Sequence, residues 1–352
     1  MIMHKKQKAL TAILTSLTGF SAVAITSTVM AYDACFKRLK HPDYAIYPGI
    51  YTYDRIKHSL KRDEFSFPSS DVNLKGYYYT ANNVKGLVVL AHGFHAGADD
   101  YLPITEYLVN HSYSVFAYDS RATYSSEGDS QKGMCQALVD IDNALKFIKR
   151  QTSYCDTPVF LLGHSWGGYA ATSAIALHSD VKACAAIAPM YSGYEIMLKK
   201  AEQYVGKLAA IPRPIFNAYQ KILFGDYIKY NGVSGINSSD IPVLIAHGIS
   251  DKIITYDSQS IISHKNEITN PNVVYYTGYG VHGDHNDIWH SKRSVLYRME
   301  IADRLRHIEI EKGRTLTYKE RCEFYKTVNH RLYSEINYEL MDKILELFDK
   351  TL

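Results

Sequence analysis

One six-residue run limits the fold of this chain more than any other. Gly163-His164-Ser165-Trp166-Gly167-Gly168 follows the apolar run Val159 to Leu162 and precedes a small-residue stretch, Tyr169 to Leu177. A short apolar run closed by glycine suits a buried strand, and the small-residue stretch suits a helix. Passing from strand to helix within about one residue demands a sharp bend that strains the central position. Glycines are needed on both sides because the backbones pass too closely for a Cβ. The bend lifts the Ser165 hydroxyl into the open. It also aims the Trp166 amide and the helix N-terminus at the same point, where negative charge is favoured.

The surroundings agree with that reading. Short apolar runs recur at Leu87 to Ala91, Tyr113 to Tyr118, Val159 to Leu162, Val181 to Ala188, Pro242 to Ala246 and Val273 to Tyr276. Each ends in polar residues, glycine or proline. Runs of this kind suit strands buried on both faces of a parallel sheet. Between them lie amphipathic stretches, such as the apolar face Ala137, Leu138, Ile141, Leu145 and Ile148. The alternation predicts an α/β fold, a mostly parallel sheet with helices on both faces. Function in such sheets gathers at the carboxyl ends of the strands. Residues 190 to 240 interrupt the alternation with helices at Tyr194 to Leu208 and Pro214 to Phe224. This helical insertion is read as a lid, against the plainer reading of a packing element. The C-terminal pattern Leu340, Met341, Ile344, Leu345, Leu347 and Phe348 reads as a terminal helix docked on the body.

A serine is a poor nucleophile without a base in hydrogen-bond reach. An acid and then a histidine are expected downstream of it. Asp251 follows the fifth run and is the expected acid, with Asp257 and Glu195 as rivals. After the sixth run come His282 and His285. His285, ahead of the apolar pair Ile288-Trp289, is the expected base and His282 the alternative; His290 is expected at the surface. The cluster His282, Asp284, His285 and Asp287 has no second ligand set elsewhere, so neither a metal nor a cofactor is expected. Two amides should hold a developing oxyanion. Trp166 supplies one, and Phe94, in the loop after the first run, supplies the other; His92 beside it reads as a structural hydrogen-bonding residue.

These segments together resemble the α/β-hydrolase family, in its serine aminopeptidase-like and monoacylglycerol lipase-like branch. The resemblance rests on His92-Gly93-Phe94, Gly163 to Gly168, His247-Gly248 with Asp251, and His285-Asn286-Asp287-Ile288, over about residues 65 to 300. Ser126-Glu127-Gly128-Asp129-Ser130 is similar to a family segment as well. One departure is Arg121-Ala122-Thr123-Tyr124-Ser125, where the family usually carries Gly-x-Gly-x-Ser; the bulkier residues are expected to alter the pocket floor. The resemblance implies a serine hydrolase acting on a small-molecule ester or peptide. An esterase or lipase is the first expectation, a peptidase or amidase the second. A catalytically silent binding module is the third.

The N-terminus reads as an address. Lys5, Lys6 and Lys8 precede residues 9–31, which carry no charge. As a helix this stretch would reach roughly 35 Å, enough to span a bilayer. The charge order keeps the N-terminus in the cytoplasm. The expectation is a single-pass anchor (residues 1–31) with the catalytic domain outside the cytoplasm. The alternative is a secreted protein, cut near Val29-Met30-Ala31. Residues 32–64 read as a lead-in segment and 65–352 as the hydrolase domain, with its cap at about 190–240. The formal charge of +3, from 39 basic and 36 acidic residues, gives no case for a nucleic-acid partner. A hydrophobic share of 46% excludes a disordered chain. Five scattered cysteines, none in a CxxC pair, argue against a disulfide scaffold or zinc knuckle. Cys184 is expected in the core. Oligomeric state is left open.

Overall fold

The computed structural model describes residues 26, 29–30, 32–47, 51–151, 156–205 and 213–352. Most of the expected N-terminal anchor, and Cys155, lie outside the described residues. Among the described residues no helix is long and apolar enough to cross a membrane.

Eight strands form one sheet: β1 Arg62–Ser69, β2 Val72–Tyr79, β3 Gly86–Ala91, β4 Tyr113–Tyr118, β5 Val159–His164, β6 Ala183–Ile187, β7 Val243–Gly248 and β8 Val273–Gly278. Their spatial order is β1-β2-β4-β3-β5-β6-β7-β8. β2 runs antiparallel to β1 and β4, and every other pairing is parallel. The six apolar runs are β3 to β8. The β1–β2 hairpin is the part those runs do not mark. β1 lies at the sheet edge and carries Arg62, Asp63 and Glu64, and its Pro68 is tolerated because an edge strand need not donate on both sides.

Alternation along each central strand feeds two cores. On β3, Leu87, Val89 and Ala91 face one side with Leu138, Ile141 and Leu145 of α2 (Gln136–Lys149) and Tyr169 and Ala170 of α3 (Trp166–Ala174). Val88 and Leu90 face the other, with Leu102 and Leu108 of α1 (Leu102–Asn110) and Leu340, Ile344 and Phe348 of a C-terminal helix. Helices on both faces explain why the central strands are apolar throughout. β8 departs from the expectation of burial on both faces: Val274 and Tyr275 are exposed, as an edge strand with one neighbour allows. Cys184 is fully buried on β6.

Between β6 and β7 stand α4 (Gly193–Val205) and α5 (Arg213–Phe224), followed by a short helix at Gly232–Ile236. Phe216 of α5 packs edge-on to Tyr32 at 5.7 Å and beside Tyr194 of α4. Tyr32 and Phe36 of the lead-in segment thus join the insertion in one aromatic cluster that also reaches Phe94. After β8 come α6 (Lys292–Glu311), α7 (Tyr318–Lys326) and α8 (Tyr338–Asp349). Asn337 caps α8 by accepting from the Leu340 N–H. The helix buries Leu340, Met341, Ile344, Leu345, Leu347 and Phe348.

Phe348 is fully buried, with its ring 4.7 Å from Phe160 and 5.8 Å from Tyr113. Phe348→Ala is expected to cost about 3–5 kcal/mol of stability, read as a lower urea midpoint. A shift under about 1 kcal/mol would mean that α8 is not part of the cooperative core.

Candidate active site

The bend between β5 and α3 holds Ser165 at φ 55° and ψ −112°, a conformation that side-chain-bearing residues rarely adopt. Its neighbours show why glycine is required. A Cβ on Gly163 would sit 2.1 Å from the Gly167 carbonyl oxygen, and one on Gly167 would sit 2.1 Å from that of Ala91. The strain is held by two backbone bonds. The Ser165 N–H donates to the Ile187 carbonyl at 2.8 Å, and the Tyr169 N–H donates to the Ser165 carbonyl at 3.0 Å.

The loops after β7 and β8 bring an acid and an imidazole to that serine. His285 Nε2 lies 2.9 Å from Ser165 Oγ, and His285 Nδ1 lies 2.6 Å from Asp251 Oδ2. The carboxylate can only accept, so Nδ1 carries the hydrogen and Nε2 presents a lone pair to the serine hydroxyl. Asp251 Oδ1 accepts from the N–H groups of Ile253 and Ile254, each at 2.8 Å. All three side chains are nearly buried. Burial pushes the Asp251 pKa up, but hydrogen bonds from His247 and His285 overrule it and hold the carboxyl well below its usual range.

The competing residues stand elsewhere. His282 Nδ1 donates to the Asp287 carbonyl at 3.2 Å and makes no bond to Ser165 or Asp251. Asp257 is exposed and Glu195 half-buried; the acceptor on His285 Nδ1 is Asp251. The surface expectation for His290 is corrected. It is buried against Trp289, with ring centroids 3.7 Å apart, because the apolar pair Ile288-Trp289 draws the segment into the core. Burial pushes its pKa well below the usual imidazole value. Among the described residues no group of three or more His, Cys, Asp or Glu side chains is placed to hold a metal ion.

Phe94 follows β3, and its ring packs edge-on against Trp166 at 5.5 Å and Phe36 at 5.7 Å. Among the described residues, no protein acceptor takes the backbone N–H of Phe94 or of Trp166. His92 is structural. Its Nε2 accepts from the Ser120 N–H at 2.9 Å and its Nδ1 donates to the Gly93 carbonyl at 2.8 Å. Burial pushes its pKa down to about 4, so the ring stays neutral.

A hydrogen-bond line that the motifs do not reveal ties the three loops together. The Gly93 N–H donates to Tyr101 Oη at 3.0 Å, which leaves the Tyr101 hydroxyl to donate to His164 Nδ1 at 2.7 Å. His164 Nε2 then donates to the His285 carbonyl at 3.3 Å. Burial pushes the His164 pKa down to about 3, which keeps one nitrogen free to accept. The Phe94 loop, the serine bend and the histidine loop are therefore fixed to one another. Only the Tyr at the eighth position after Gly93 could have signalled this, and spacing alone gives a Tyr no partner.

The end of β4 braces the same loop. Asp119 Oδ1 accepts from the Ala98 N–H, and Oδ2 from Tyr77 Oη. Asp100 accepts from the Gly97 N–H and Tyr124 Oη. Burial pushes Asp119 up to about 7 and Asp100 up to about 6. Here the departure at Arg121 to Ser125 finds its place. The Tyr124 ring abuts Gly97 so closely that a Cβ there would lie 2.1 Å away, and it stacks on His41 of the lead-in segment at 4.6 Å. The bulk braces the Phe94 loop from beneath.

The family model described as "Serine aminopeptidase, S33" matches residues 82–226. A Salmonella typhi protein, described as uncharacterized protein YfhR, is 27% identical over 231 residues, 61% of this chain and 70% of that one. Among solved structures, the Pyrococcus furiosus esterase Pf2001 superposes with a TM-score of 0.52 at 20% identity, covering 71% of this chain and 90% of the esterase. The α/β hydrolase GrgF from Penicillium sp. sh18 gives 0.50 at 17%, over 68% and 96%. These structural likenesses show the fold. The family match and the strained serine bend agree with that fold, the α/β-hydrolase fold.

Proposed function

We propose that Ser165, His285 and Asp251 form a catalytic triad that cleaves carboxylic esters through an acyl-enzyme. One observation carries the reading: the unbroken line from Ser165 Oγ through His285 to Asp251, at 2.9 and 2.6 Å. His285 Nε2 takes the Ser165 proton as Oγ attacks the carbonyl carbon. The N–H groups of Phe94 and Trp166 hold the oxyanion. His285 then passes the proton to the leaving alcohol as the ester bond breaks, while Asp251 steadies the imidazolium. Water, losing its proton to His285, then attacks the acyl carbon; the bond to Ser165 Oγ breaks, Oγ recovers the proton from His285, and the acid leaves.

The apolar surroundings favour an acyl substrate. Tyr32, Phe36, Phe94 and Phe216 cluster with Met134 and with Met197 of the insertion, and Phe94 packs against Trp166 beside the serine. We read the insertion as a lid. The uncharged stretch 9–31 behind Lys5, Lys6 and Lys8 supports tethering to the cell membrane with this domain outside the cytoplasm; secretion after cleavage is the alternative. A second reading, an aminopeptidase-like peptidase with the same triad, draws on the description of the matching family model.

A fluorophosphonate probe should label the wild-type enzyme and not Ser165→Ala, whose kcat on p-nitrophenyl acyl esters should fall by roughly 10⁴- to 10⁶-fold. Retained turnover would end the triad reading. Asp251→Asn should lose about 10⁴-fold in kcat, with labelling slowed in step. Faster turnover of aminoacyl-anilides than of acyl esters would favour the peptidase. Carbonate extraction of membranes tests the tether: full-length protein should stay in the pellet, and its release would remove that reading.

A further inference from the structure

We infer that His247 is a positioning residue for the catalytic acid: it shares the Asp251 carboxylate with His285 and so sets how strongly that carboxylate holds the proton on His285 Nδ1. The inference rests on the triad reading. His247 is the penultimate residue of β7, four residues before Asp251, and its side chain is fully buried. Its Nε2 lies 3.1 Å from Asp251 Oδ2 and 2.9 Å from the Ile254 carbonyl oxygen. Both neighbours are acceptors, so Nε2 carries a hydrogen and donates it to the pair. Among the described residues Nδ1 is buried without a hydrogen-bond partner. A lone pair left unsatisfied in the core is costly. A purely apolar residue would fill the site without that cost, which points to the Nε2–H as the reason for the ring.

The consequence is a divided carboxylate. Oδ1 is taken by the N–H groups of Ile253 and Ile254. Oδ2 stands between two imidazole donors, at 2.6 Å from His285 and 3.1 Å from His247. Removing the second donor leaves Oδ2 to His285 alone. The stronger pull then stabilises protonated His285, and catalysis needs it neutral. The low-pH limb of kcat/KM must therefore move up in pH. The groups facing this pair are few. The His164 ring lies 5.0 Å from that of His285, and Asp284 Oδ1 accepts the His285 backbone N–H at 2.7 Å. The Tyr256 ring lies 5.8 Å from that of His247. The variants below leave all three in place.

Three measurements on the full chain test this. Wild type is first labelled with a fluorophosphonate at Ser165; absence of labelling defeats the triad reading itself. His247→Met, which keeps length and apolar volume but loses the donor, and His247→Gln, whose amide N–H reaches about as far as Nε2, are then assayed per labelled site, so misfolded enzyme does not count. His247→Met should raise the midpoint of the low-pH limb of kcat/KM by about half to one pH unit, from the usual strength of one hydrogen bond. Its kcat on the high-pH plateau and its KM should each stay within about twofold. His247→Gln should restore the wild-type profile. An unmoved limb in His247→Met, with only a lower Tm, would make His247 a packing residue and overturn the inference while the triad stands. If His247→Met yields no labelled sites, 15N NMR of wild-type histidines decides: an Nε2–H tautomer at His247 supports the role, and an Nδ1–H tautomer overturns it.

Discussion

The strained bend at Ser165 is the constraint on which the rest of the molecule depends. A residue held at positive φ costs on the order of 1–3 kcal/mol and persists only where its surroundings leave no other choice. Here β3 and α3 supply that confinement. Gly167 passes so close to the end of β3 that no side chain fits, and Gly163 is pressed in the same way by the first turn of the helix. The strand and helix are in turn locked by burial on both faces of the sheet. Relaxing the bend would mean parting α3 from the sheet, which costs far more than the strain.

Around that fixed point, three loops from distant parts of the chain must meet within a fraction of an ångström. The line Gly93, Tyr101, His164 and His285 ties them through buried groups whose donors and acceptors run one way. The carboxyls of Asp100 and Asp119 brace the Phe94 loop from the opposite side. Buried polar networks of this kind are stabilising only when nearly every member is satisfied. The supports of the site are polar and paired, whereas the insertion packs through aromatic contacts with Tyr32 and Phe36.

The residues that meet at the candidate site are largely legible in the chain. Ser165 announces itself because the bend needs glycines at fixed offsets. Asp251, His285 and the rival His282 could be found because each follows a strand end, where an open sheet exposes its loops. The choice between the two histidines rests on the apolar pair Ile288-Trp289 after His285 and also on the resemblance, since spacing puts both within a few residues of β8. The β1–β2 hairpin escaped because a half-exposed antiparallel pair with charged residues lacks an apolar run. His290 was misjudged because a polar residue beside Trp289 gives no hint that the loop turns inward.

What the sequence determined by itself was local: which segments become buried strands, where a serine is forced into a tight bend, and which end of the chain carries an uncharged stretch behind lysines. Those properties follow from neighbours a few residues apart. What only the tertiary structure decided was partnership. Tyr101 finds His164 across 63 residues, and His285 finds Ser165 across 120. His247 meets Asp251 because the loop after β7 folds back on the end of that strand. Hydrogen bonds are directional and short, so they are fixed by where the folded backbone places each atom, which no local pattern encodes.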